Sequence, residues 1–485
     1  MLDMVIETPA ASARKSAILA NSERHAKTWQ QWRKKAWFFH AEDTAYLRFL
    51  IPKRLRILEL GCGAGNTLEA LEAADGSVGI DLSPALVEQA RGAYPKLEFY
   101  TGDIEDPCTL AKLSGPFDII LIVDTLGSLE DCQGLLEALH PFCDRKTRLV
   151  VAYYSHLWDP LLKLAERFRW RKSQPPQNVL SPADIRAIAR LSGFDPIKSE
   201  ARLLMPFWLF GLGRIINKFL SPLPIIRQFS LRHYVVARST YHLDDGVKSA
   251  SIIIPARNER GNIEAAIQRI PRFCDDLEMI FVEGHSSDAT LKEIHRVKSA
   301  YHERDIKVLV QPGKGKGDAV YAGFDVARGD VLIILDADLT MPPEQLPKFW
   351  NAIRSGKGEF INGSRLVYPM GDDAMRFLNL IANKTFSYLF SWLLNQRYTD
   401  TLCGTKVIRR CDYERLKAGR SYFGDFDPFG DFDLIFGASK LNLKTVEVPV
   451  RYVSRTYGET QISRFYHGTL LIRMVVLAFL KIKAL

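Results

Sequence analysis

The sequence has few cysteines, and none of them forms a recognisable pair. Seven occur in 485 residues, without a Cys-x-x-Cys pair and without a histidine partner at metal-ligand spacing. Their odd number and scatter are typical of a reducing compartment. The N-terminus MLDMVIETPA lacks a basic region followed by an apolar core, so no secretory signal is evident. We therefore expect a cytoplasmic protein.

A strong charge imbalance and long uninterrupted apolar runs are also missing. Apolar residues make up 47% of the chain and charged residues 25%, which is typical of a folded globular protein and excludes a disordered one. The net charge of +9 suits phosphates, nucleotides or an anionic membrane surface, and it equally suits a plain solvated surface. The length exceeds that of one typical hydrophobic core, so two or more domains are expected.

A glycine-rich loop is the first chemical signal along the chain. In LRILELGCGAGNTLEAL, a strand over residues 55–60 leads into Gly61, Gly63 and Gly65, and a helical pattern follows. Glycines at alternate positions let the backbone turn sharply and approach a ligand closely. The following helix presents free N–H groups. Glycine loops alone are weak evidence, so the next strands decide.

Each of the next three predicted strands ends in an aspartate: Asp81, Asp103 and Asp124. An acid about 20 residues beyond such a loop suits ribose hydroxyls, in a dinucleotide or in S-adenosylmethionine. The ordered motifs over roughly residues 30–240 resemble class I S-adenosylmethionine-dependent methyltransferases. The resemblance implies that the following residues bind this cofactor: Glu59, Gly61, Gly63, Gly65, Asp81, Leu82, Asp103, Ile104 and Asp124.

The methyl acceptor is not evident from the sequence. His156 follows the fifth strand and is either a general base for a hydroxyl acceptor or a packing residue. Residues 203–231 form an apolar insertion with scattered Arg and Lys, interrupted by Pro222 and Pro224. This insertion is too interrupted for a spanning helix. It could serve as a substrate lid, a domain interface or an interfacial membrane patch.

A second alternation of strands and helices begins after residues 241–248. Its strands run into Pro255-Ala256-Arg257-Asn258-Glu259, into Glu283, and into a loop containing Gly315-Lys316-Gly317. The fourth strand, VLIILDADLT, ends in Asp336-Ala337-Asp338. Successive strands that end in polar residues predict a parallel sheet whose ligand lies at the carboxyl ends.

These motifs resemble family 2 glycosyltransferases of the GT-A fold, and most closely their dolichyl-phosphate mannose synthase-like branch. The Gly-Ser-Arg run ending at Arg365, the acidic helix GDFDLIF and the Gly-Glu-Thr run at 458–460 support this branch over roughly residues 249–470. The resemblance implies the following nucleotide-sugar contacts: Pro255, Arg257, Glu259, Glu283, Lys316, Asp336, Ala337 and Asp338.

Asp336 and Asp338 are the predicted metal ligands. Two carboxylates at i and i+2 on an extended strand end point to the same side and can share Mg²⁺ or Mn²⁺. Two departures from the family pattern affect the details. Thr340 stands where relatives often carry a metal-binding Gln, and Glu283-Gly284 replaces a common Asp-Asp.

The acceptor prediction depends on charge. The resemblance places Asp433 as the general base that a hydroxyl acceptor would need, with Asp338 and Arg365 completing the catalytic set. A lipid phosphate is already anionic and chiefly needs cations, for which Arg365, Arg451 and Arg455 are candidates. The arginines favour polyprenyl phosphate or another envelope-glycan precursor.

The sequence predicts an α/β protein with two doubly wound domains. We expect an N-terminal extension (1–29), a methyltransferase domain (30–240), a linker (241–248), a GT-A glycosyltransferase domain (249–470) and a C-terminal amphipathic helix (468–485). This last helix either lies in a membrane interface with its lysines at the headgroups or packs on the sheet. We expect a bifunctional enzyme, peripheral on the cytoplasmic membrane face, with no nucleic-acid partner. The alternative is a glycosyltransferase for hydroxyl acceptors whose first half only binds S-adenosylmethionine or serves as a scaffold.

Overall fold

Two separate seven-stranded sheets organise the chain in its computed structural model. The structure describes residues 12–243, 246–368, 377–424, 430–455, 457 and 464–485. The chain divides between His242 and Leu243 into two units. The Gly-Glu-Thr run at 458–460 lies outside the described residues, as do the first 11 residues of the predicted extension and residues 244–245 of the predicted linker.

The sheet of the first unit has the strand order β3-β2-β1-β4-β5-β7-β6. Its strands are β1 (Ile57–Leu60), β2 (Val78–Asp81), β3 (Glu98–Thr101), β4 (Ile119–Val123), β5 (Arg148–Tyr154), β6 (Phe194–Arg202) and β7 (Arg232–Ser239). Strands β1 to β5 are parallel, whereas β7 is antiparallel to both β5 and β6. Strands β1 and β4 are almost continuously apolar because both of their faces are covered.

Ten α-helices belong to this described unit. They are α1 (Ala13–Ala26), α2 (Trp29–Lys35), α3 (Trp37–Leu50), α4 (Asn66–Ala70), α5 (Pro84–Ala93), α6 (Pro107–Leu110), α7 (Cys132–Glu137), α8 (Asp159–Arg167), α9 (Pro182–Leu191) and α10 (Leu212–Ile215). Side-chain caps begin several of them: the hydroxyl of Ser83 accepts from the Leu86 amide, and Ser181 forms a capping box with Asp184. The apolar insertion folds as α10 with short 3₁₀ and π turns.

The sheet of the second unit has the order β10-β9-β8-β11-β13-β12-β14. Its strands are β8 (Ser249–Ala256), β9 (Asp276–Glu283), β10 (Asp305–Val310), β11 (Val331–Ile334), β12 (Phe360–Ser364), β13 (Lys406–Arg409) and β14 (Thr445–Pro449). The four strands that carry the sequence motifs are parallel as predicted, while β13 runs antiparallel to its neighbours β11 and β12. The prediction of two α/β domains is confirmed.

Eight α-helices cover the described part of this second sheet. They are α11 (Ile263–Arg269), α12 (Thr290–Ala300), α13 (Lys316–Val326), α14 (Leu346–Arg354), α15 (Phe377–Leu394), α16 (Arg410–Gly419), α17 (Asp431–Lys440) and α18 (Arg464–Ala478). The core lies between these helices and the sheet, where Ile252, Phe281 and Ile333 are fully buried.

The C-terminal segment packs partly against the rest of the second unit. Its apolar residues Leu471 and Met474 are buried, and Trp392 of α15 lies 5.9 Å from Phe479, centroid to centroid. Lys483 is fully buried and donates to Asn395 at 3.0 Å, which does not fit the alternative that places this lysine at lipid headgroups. Within the residues described, no helix combines the length and apolar character that crossing a membrane requires.

Candidate active sites

A cavity of about 870 Å³ opens at the carboxyl ends of β1 to β4 in the first unit. Such a volume is near the upper end of what small-molecule sites occupy. Eight of the nine predicted cofactor residues line it: Glu59, Gly61, Gly63, Asp81, Leu82, Asp103, Ile104 and Asp124. Gly65 is not among the lining residues. It begins α4 with a φ of 74°, and a Cβ there would meet Phe99 at 2.7 Å.

The glycine loop packs too tightly for side chains. Gly61 has a φ of 82°, and a Cβ on it would stand 2.1 Å from Oγ1 of Thr125. Gly63, with a φ of 53°, would meet the ring of Trp29 at 3.0 Å. Left-handed backbone and close approach together explain why glycines occupy these two positions of the loop.

Asp81 fixes the loop from the end of β2. One carboxylate oxygen accepts from the Gly63 amide at 2.8 Å, and the other accepts from the Ser83 amide at 2.9 Å. Burial raises the pKa of Asp81, and these two backbone hydrogen bonds oppose that shift. At the end of β3, Asp103 pairs with Lys15 of α1 at 2.5 Å. No motif in the sequence pointed to Lys15.

Glu59 is the most perturbed carboxyl group of this cavity. It is 1% exposed, and burial raises its pKa to about 8 even though the Thr67 hydroxyl and the Leu68 amide bond to it. Its Oε2 has no hydrogen-bond partner. A buried carboxyl oxygen without a partner beside a cavity is a natural contact for a polar or cationic ligand group.

A buried ion cluster lies beneath the middle of the cavity. The guanidinium of Arg232 is fully buried between Asp43, at 2.9 Å, and Asp124. Asp124 has a φ of 58°, and burial raises its pKa. Because Asp124 is engaged by Arg232, it faces the cavity as half of an ion pair.

The structure identifies a different cavity histidine from the one considered from the sequence. His40 lines the cavity, and burial, with Arg33 nearby, lowers its pKa to about 4, so its ring is neutral. His156 is not among the cavity-lining residues, and its Nδ1 is buried without a partner. His40 lies on α3, before the glycine loop, where the methyltransferase motifs gave no reason to look.

In the second unit, the two aspartates of the predicted metal site stand in a turn. Strand β11 ends at Ile334, and the Leu339 amide donates to the Asp336 carbonyl at 3.2 Å. Leu339 has a φ of 54°. The expected extended strand end is therefore wrong, because the backbone reverses directly after the strand.

Each of these two aspartates is paired with a cation. Lys316 reaches Oδ1 of Asp336 at 2.7 Å, and Arg455 reaches Oδ2 of Asp338 at 2.6 Å. Arg455 also bonds Glu259 at 3.2 Å, so three predicted residues form one chain of contacts. Burial opposes ionisation of Asp336, but the nearby cations Lys316, Lys406 and Arg365 together outweigh it and lower the pKa of Asp336.

Thr340 follows the turn, and its side chain is buried. Its hydroxyl donates to Oδ1 of Asp338 at 2.8 Å, and its amide donates to the same oxygen at 3.1 Å. The residue that departs from the family pattern thus orients Asp338. Ala337, between the aspartates, is 3% exposed and packs in the core.

Gly404 is a site residue that the motif search missed. A Cβ on it would stand 2.0 Å from Oδ2 of Asp336 and 2.6 Å from Nζ of Lys316. The absence of a side chain at this position therefore leaves room for the Lys316–Asp336 pair. The only sequence signal was a glycine just before β13.

The three predicted phosphate-binding arginines differ in their surroundings. Arg365 makes a bidentate pair with the buried Asp400, at 2.6 and 2.9 Å. Arg451 is exposed, and its guanidinium lies 5.7 Å from the ring centroid of Tyr368. Of the three, only Arg455 is seen in contact with the Asp336–Asp338 turn.

Asp433 lies on α17 and is 2% exposed. It accepts from the Tyr321 hydroxyl and from Nε of Arg420, both at 2.7 Å. Tyr321 belongs to α13, the helix that begins with Lys316. Both hydrogen bonds end on Oδ2, so this oxygen of the predicted general base is already engaged by two donors.

The remaining predicted contacts lie at the edge formed by β8 and β9. Glu283 is 4% exposed and accepts from the Ser286 amide at 2.6 Å. Pro255 is half-buried near the end of β8, and Arg257 follows it with an exposed side chain. These residues lie at the carboxyl ends of parallel strands, where open α/β sheets bind ligands.

Asp336 and Asp338 alone would not complete the coordination shell of a divalent cation, so water and a bound substrate would have to supply the remaining oxygens. Over the described ranges, no group of three or more His, Cys, Asp or Glu side chains is arranged to hold a metal ion. Mg²⁺ typically uses one or two carboxylates and completes its shell with water and substrate phosphates. Asp336 and Asp338 match that chemistry.

Family models match both units. Residues 29–199 match a model described as a methyltransferase domain, and residues 251–416 match glycosyl transferase family 2. The first match includes β1 to β5 and the glycine loop, and the second includes β9 to β13 and the aspartate turn.

Three curated relatives are similar to part of the chain. An undecaprenyl-phosphate 4-deoxy-4-formamido-L-arabinose transferase of Aeromonas hydrophila is 33% identical over 114 residues, which cover 23% of this chain and 35% of the relative. The corresponding transferase of Pectobacterium carotovorum is 26% identical over 223 residues, covering 45% and 64%. A dolichol-phosphate mannosyltransferase of Pyrococcus furiosus is 40% identical over 119 residues, covering 24% and 33%. The matched regions thus span less than two thirds of each of these relatives.

Two solved structures align with part of the chain. An S-adenosylmethionine-dependent methyltransferase from Thermotoga maritima aligns with a TM-score of 0.36 and 17% identity, covering 46% of this chain and 99% of the other. Glucosyl-3-phosphoglycerate synthase from Mycobacterium tuberculosis, in complex with UDP, aligns with a TM-score of 0.36 and 18% identity, covering 48% and 80%.

Proposed function

The chain joins a methyltransferase domain to a glycosyltransferase family 2 domain, and we propose that it is a bifunctional enzyme. Its second unit transfers a sugar from a nucleotide sugar to polyprenyl phosphate, with inversion and with Mg²⁺ or Mn²⁺. Its first unit transfers a methyl group from S-adenosylmethionine. We further propose that the enzyme works at the cytoplasmic membrane face. The observation that carries the glycosyl part is the Asp336–Asp338 turn with its two cations.

The donor would bind at the carboxyl edge of β8, β9 and β11. Arg257 and Glu283 stand at this edge and offer a cation and an acceptor for the nucleoside part. Lys316 lies 2.7 Å from Asp336 and can turn from that carboxylate to a phosphate oxygen. The same ammonium would thus stabilise first the turn and then the bound diphosphate.

Asp336 and Asp338 would hold the divalent ion, which supplies positive charge where the diphosphate leaves. Thr340 keeps Asp338 oriented for this task by two hydrogen bonds to Oδ1. Gly404 keeps the space beside Asp336 open. Positioning by neighbours of this kind governs how well carboxylates bind a metal ion.

The state of Asp433 supports a phosphate acceptor over a hydroxyl acceptor. A hydroxyl group must lose its proton as it attacks, so it needs a free base within reach. Asp433 is buried and already accepts from Tyr321 and Arg420. A phosphate needs cations instead, and Arg455 lies beside the turn. The matched relatives named for undecaprenyl-phosphate and dolichol-phosphate transfer agree with this choice.

The methyltransferase proposal is supported by one continuous cavity that contains eight predicted cofactor residues. Asp81 at the end of β2 suits the ribose hydroxyls, and Glu59 offers an unpartnered oxygen. Gly61 and Gly63 allow the backbone to approach the ligand.

Calorimetry on the full chain tests both ligand assignments. UDP, GDP and dTDP are titrated with Mn²⁺ and again with EDTA, and S-adenosylmethionine is titrated separately. We expect one of the nucleotides to bind only with the metal, and S-adenosylmethionine to bind in either buffer. Nucleotide binding that is unaffected by EDTA would contradict the metal assignment, and no heat with S-adenosylmethionine would contradict the methyltransferase assignment.

A further inference from the structure

An apolar rim surrounds the outer end of the first unit's cavity. Six side chains line the cavity and are nevertheless 39% to 74% exposed: Trp37, Leu161, Leu164, Trp170, Phe207 and Trp208. The inner end of the same cavity carries Glu59, Asp81 and Asp103. The cavity is therefore polar where the predicted cofactor residues lie and apolar where it opens.

The apolar surface continues beyond this rim along residues 207–229. Phe210 is fully exposed, and Ile225 and Phe229 are 76% and 59% exposed. Leu209 and Phe210 have φ values of 44° and 55°, which are unfavourable for residues with side chains. We call the rim together with residues 207–229 the mouth surface. A monomer rarely exposes so many large apolar side chains in one place unless they meet a partner.

Charge indicates which partner covers the mouth surface. Residues 207–229 contain three basic residues and no Asp or Glu, and residues 159–173 contain five basic residues, one Asp and one Glu. Arg214 lies over the Trp208 ring at 5.4 Å, so cations and aromatic rings interleave. Aromatic side chains that enter the acyl boundary while Arg and Lys meet anionic headgroups are the pattern of interfacial membrane binding.

We propose that the mouth surface docks on an anionic lipid bilayer and that the methyl acceptor is an amphipathic, lipid-anchored molecule. Its apolar chain would lie along the rim between Trp37 and Trp208, and its nucleophilic group would reach the middle of the cavity near His40. The proposal rests on the proposed binding of S-adenosylmethionine. In the transfer, the acceptor atom bonds to the methyl carbon and releases its proton to water, and the sulfur keeps the electron pair of the broken bond.

Docking can be tested by hydrogen exchange on the full chain, because this measurement reports on the mouth surface separately from the second unit. Vesicles of phosphatidylcholine with phosphatidylglycerol are compared with vesicles of phosphatidylcholine alone. We expect residues 207–229 to exchange more slowly only with the anionic vesicles. Equal exchange with and without anionic vesicles would overturn the proposal. Protection that depends on protein concentration alone would also overturn it, because it would assign the surface to a second copy.

A double variant and a control variant test how strongly the mouth surface binds vesicles. Phe210→Glu with Ile225→Glu should weaken flotation with anionic vesicles at least about tenfold, because each change removes a large apolar contact and adds repulsion. Leu191→Glu is the control, since Leu191 is 69% exposed on α9 but outside the mouth surface. Equal flotation of the double variant and the control would contradict the assignment.

The acceptor class is tested with isotopically labelled S-adenosylmethionine. The full chain is incubated with a chloroform–methanol extract of bacterial membranes and, in parallel, with the aqueous extract. We expect labelled product in the organic phase, lost in the double variant although calorimetry shows unchanged cofactor binding. Label confined to water-soluble products would overturn the lipid acceptor. If the unaltered chain bound no S-adenosylmethionine, the methyltransferase proposal would fail, whereas vesicle-dependent protection would still support docking.

Discussion

Arg455 donates to Asp338 at 2.6 Å and to Glu259 at 3.2 Å, and so bridges the aspartate turn and the loop after β8. One guanidinium thus lies between two carboxylates and offsets their mutual repulsion. Under the proposed function, a divalent cation would take over Asp338, and the same guanidinium would then be available to an anionic acceptor. Such an exchange would connect metal binding with acceptor binding.

Replacing Arg455 should separate these two events. Arg455→Gln leaves Asp338 without its cation, so Mn²⁺ binding should be as strong as in the unaltered chain or stronger. Sugar transfer to polyprenyl phosphate should fall about 10- to 100-fold, since a charge-assisted hydrogen bond contributes about 1.5–3 kcal/mol. Metal titration and transfer kinetics check the two effects. Arg455→Lys should restore transfer in part, and weaker metal binding by Arg455→Gln would contradict this account.

A matched glycine pair tests the space beside Asp336. In Gly404→Ala the new Cβ would meet Oδ2 of Asp336 at 2.0 Å, so the Lys316–Asp336 pair must shift. We expect at least about a tenfold loss of metal-dependent nucleotide binding, measured by calorimetry, because a misplaced ligand costs roughly a tenfold or larger loss of affinity. Gly419→Ala serves as the control because a Cβ there would meet nothing within 4 Å. Equal binding by both variants would show that Gly404 is not required.

The glycine loop of the first unit offers a parallel pair. Gly61→Ala combines a φ of 82° with a Cβ 2.1 Å from Thr125, so the loop must rearrange. Calorimetry should detect no S-adenosylmethionine binding by this variant, while metal-dependent nucleotide binding in the second unit is unchanged. Gly92→Ala lies on α5 with open space around its Cβ and should bind the cofactor normally. Retained binding by Gly61→Ala would contradict the placement of the cofactor.

Glu59 should make the first unit less stable as the pH rises. Its pKa is about 8 in the folded chain and 4.5 for an ordinary glutamate, so between these values the folded state holds the extra proton. Stability therefore falls with pH across this window, by up to about 1.4 kcal/mol per pH unit, and is not affected further above pH 8. Pulse proteolysis in urea at pH 5 and pH 8 should show that Glu59→Gln removes this loss. Parallel pH profiles of variant and unaltered chain would contradict the buried, protonated state.

The sequence predicted the strands and the polar residues at their ends well, because both features show within a short stretch of chain. Apolar runs followed by Asp81, Glu283 or Asp336 mark strand ends at which parallel sheets collect polar groups. The antiparallel strand β13 was not predicted, since it depends on pairing between distant segments. The turn after β11 was also misread, because a left-handed Leu339 has no local signal.

The side-chain partners could not be predicted for the same physical reason. Lys316 and Asp336 are 20 residues apart, and Asp338 and Arg455 are 117 apart, so only the folded chain brings them together. The buried pairing of Arg365 with Asp400 was equally invisible. A motif identifies which residue types are present, and tertiary contacts decide whether their charges face a ligand.

The most direct test is sugar transfer by the full chain. UDP-, GDP- and dTDP-sugars are incubated with polyprenyl phosphate and Mg²⁺ or Mn²⁺, and the lipid fraction is analysed by mass spectrometry. We predict one glycosylated lipid phosphate, which disappears with EDTA and falls by at least about 100-fold in Asp338→Ala, although that variant still binds S-adenosylmethionine. Transfer only to soluble hydroxyl acceptors, or full transfer by Asp338→Ala, would contradict the account.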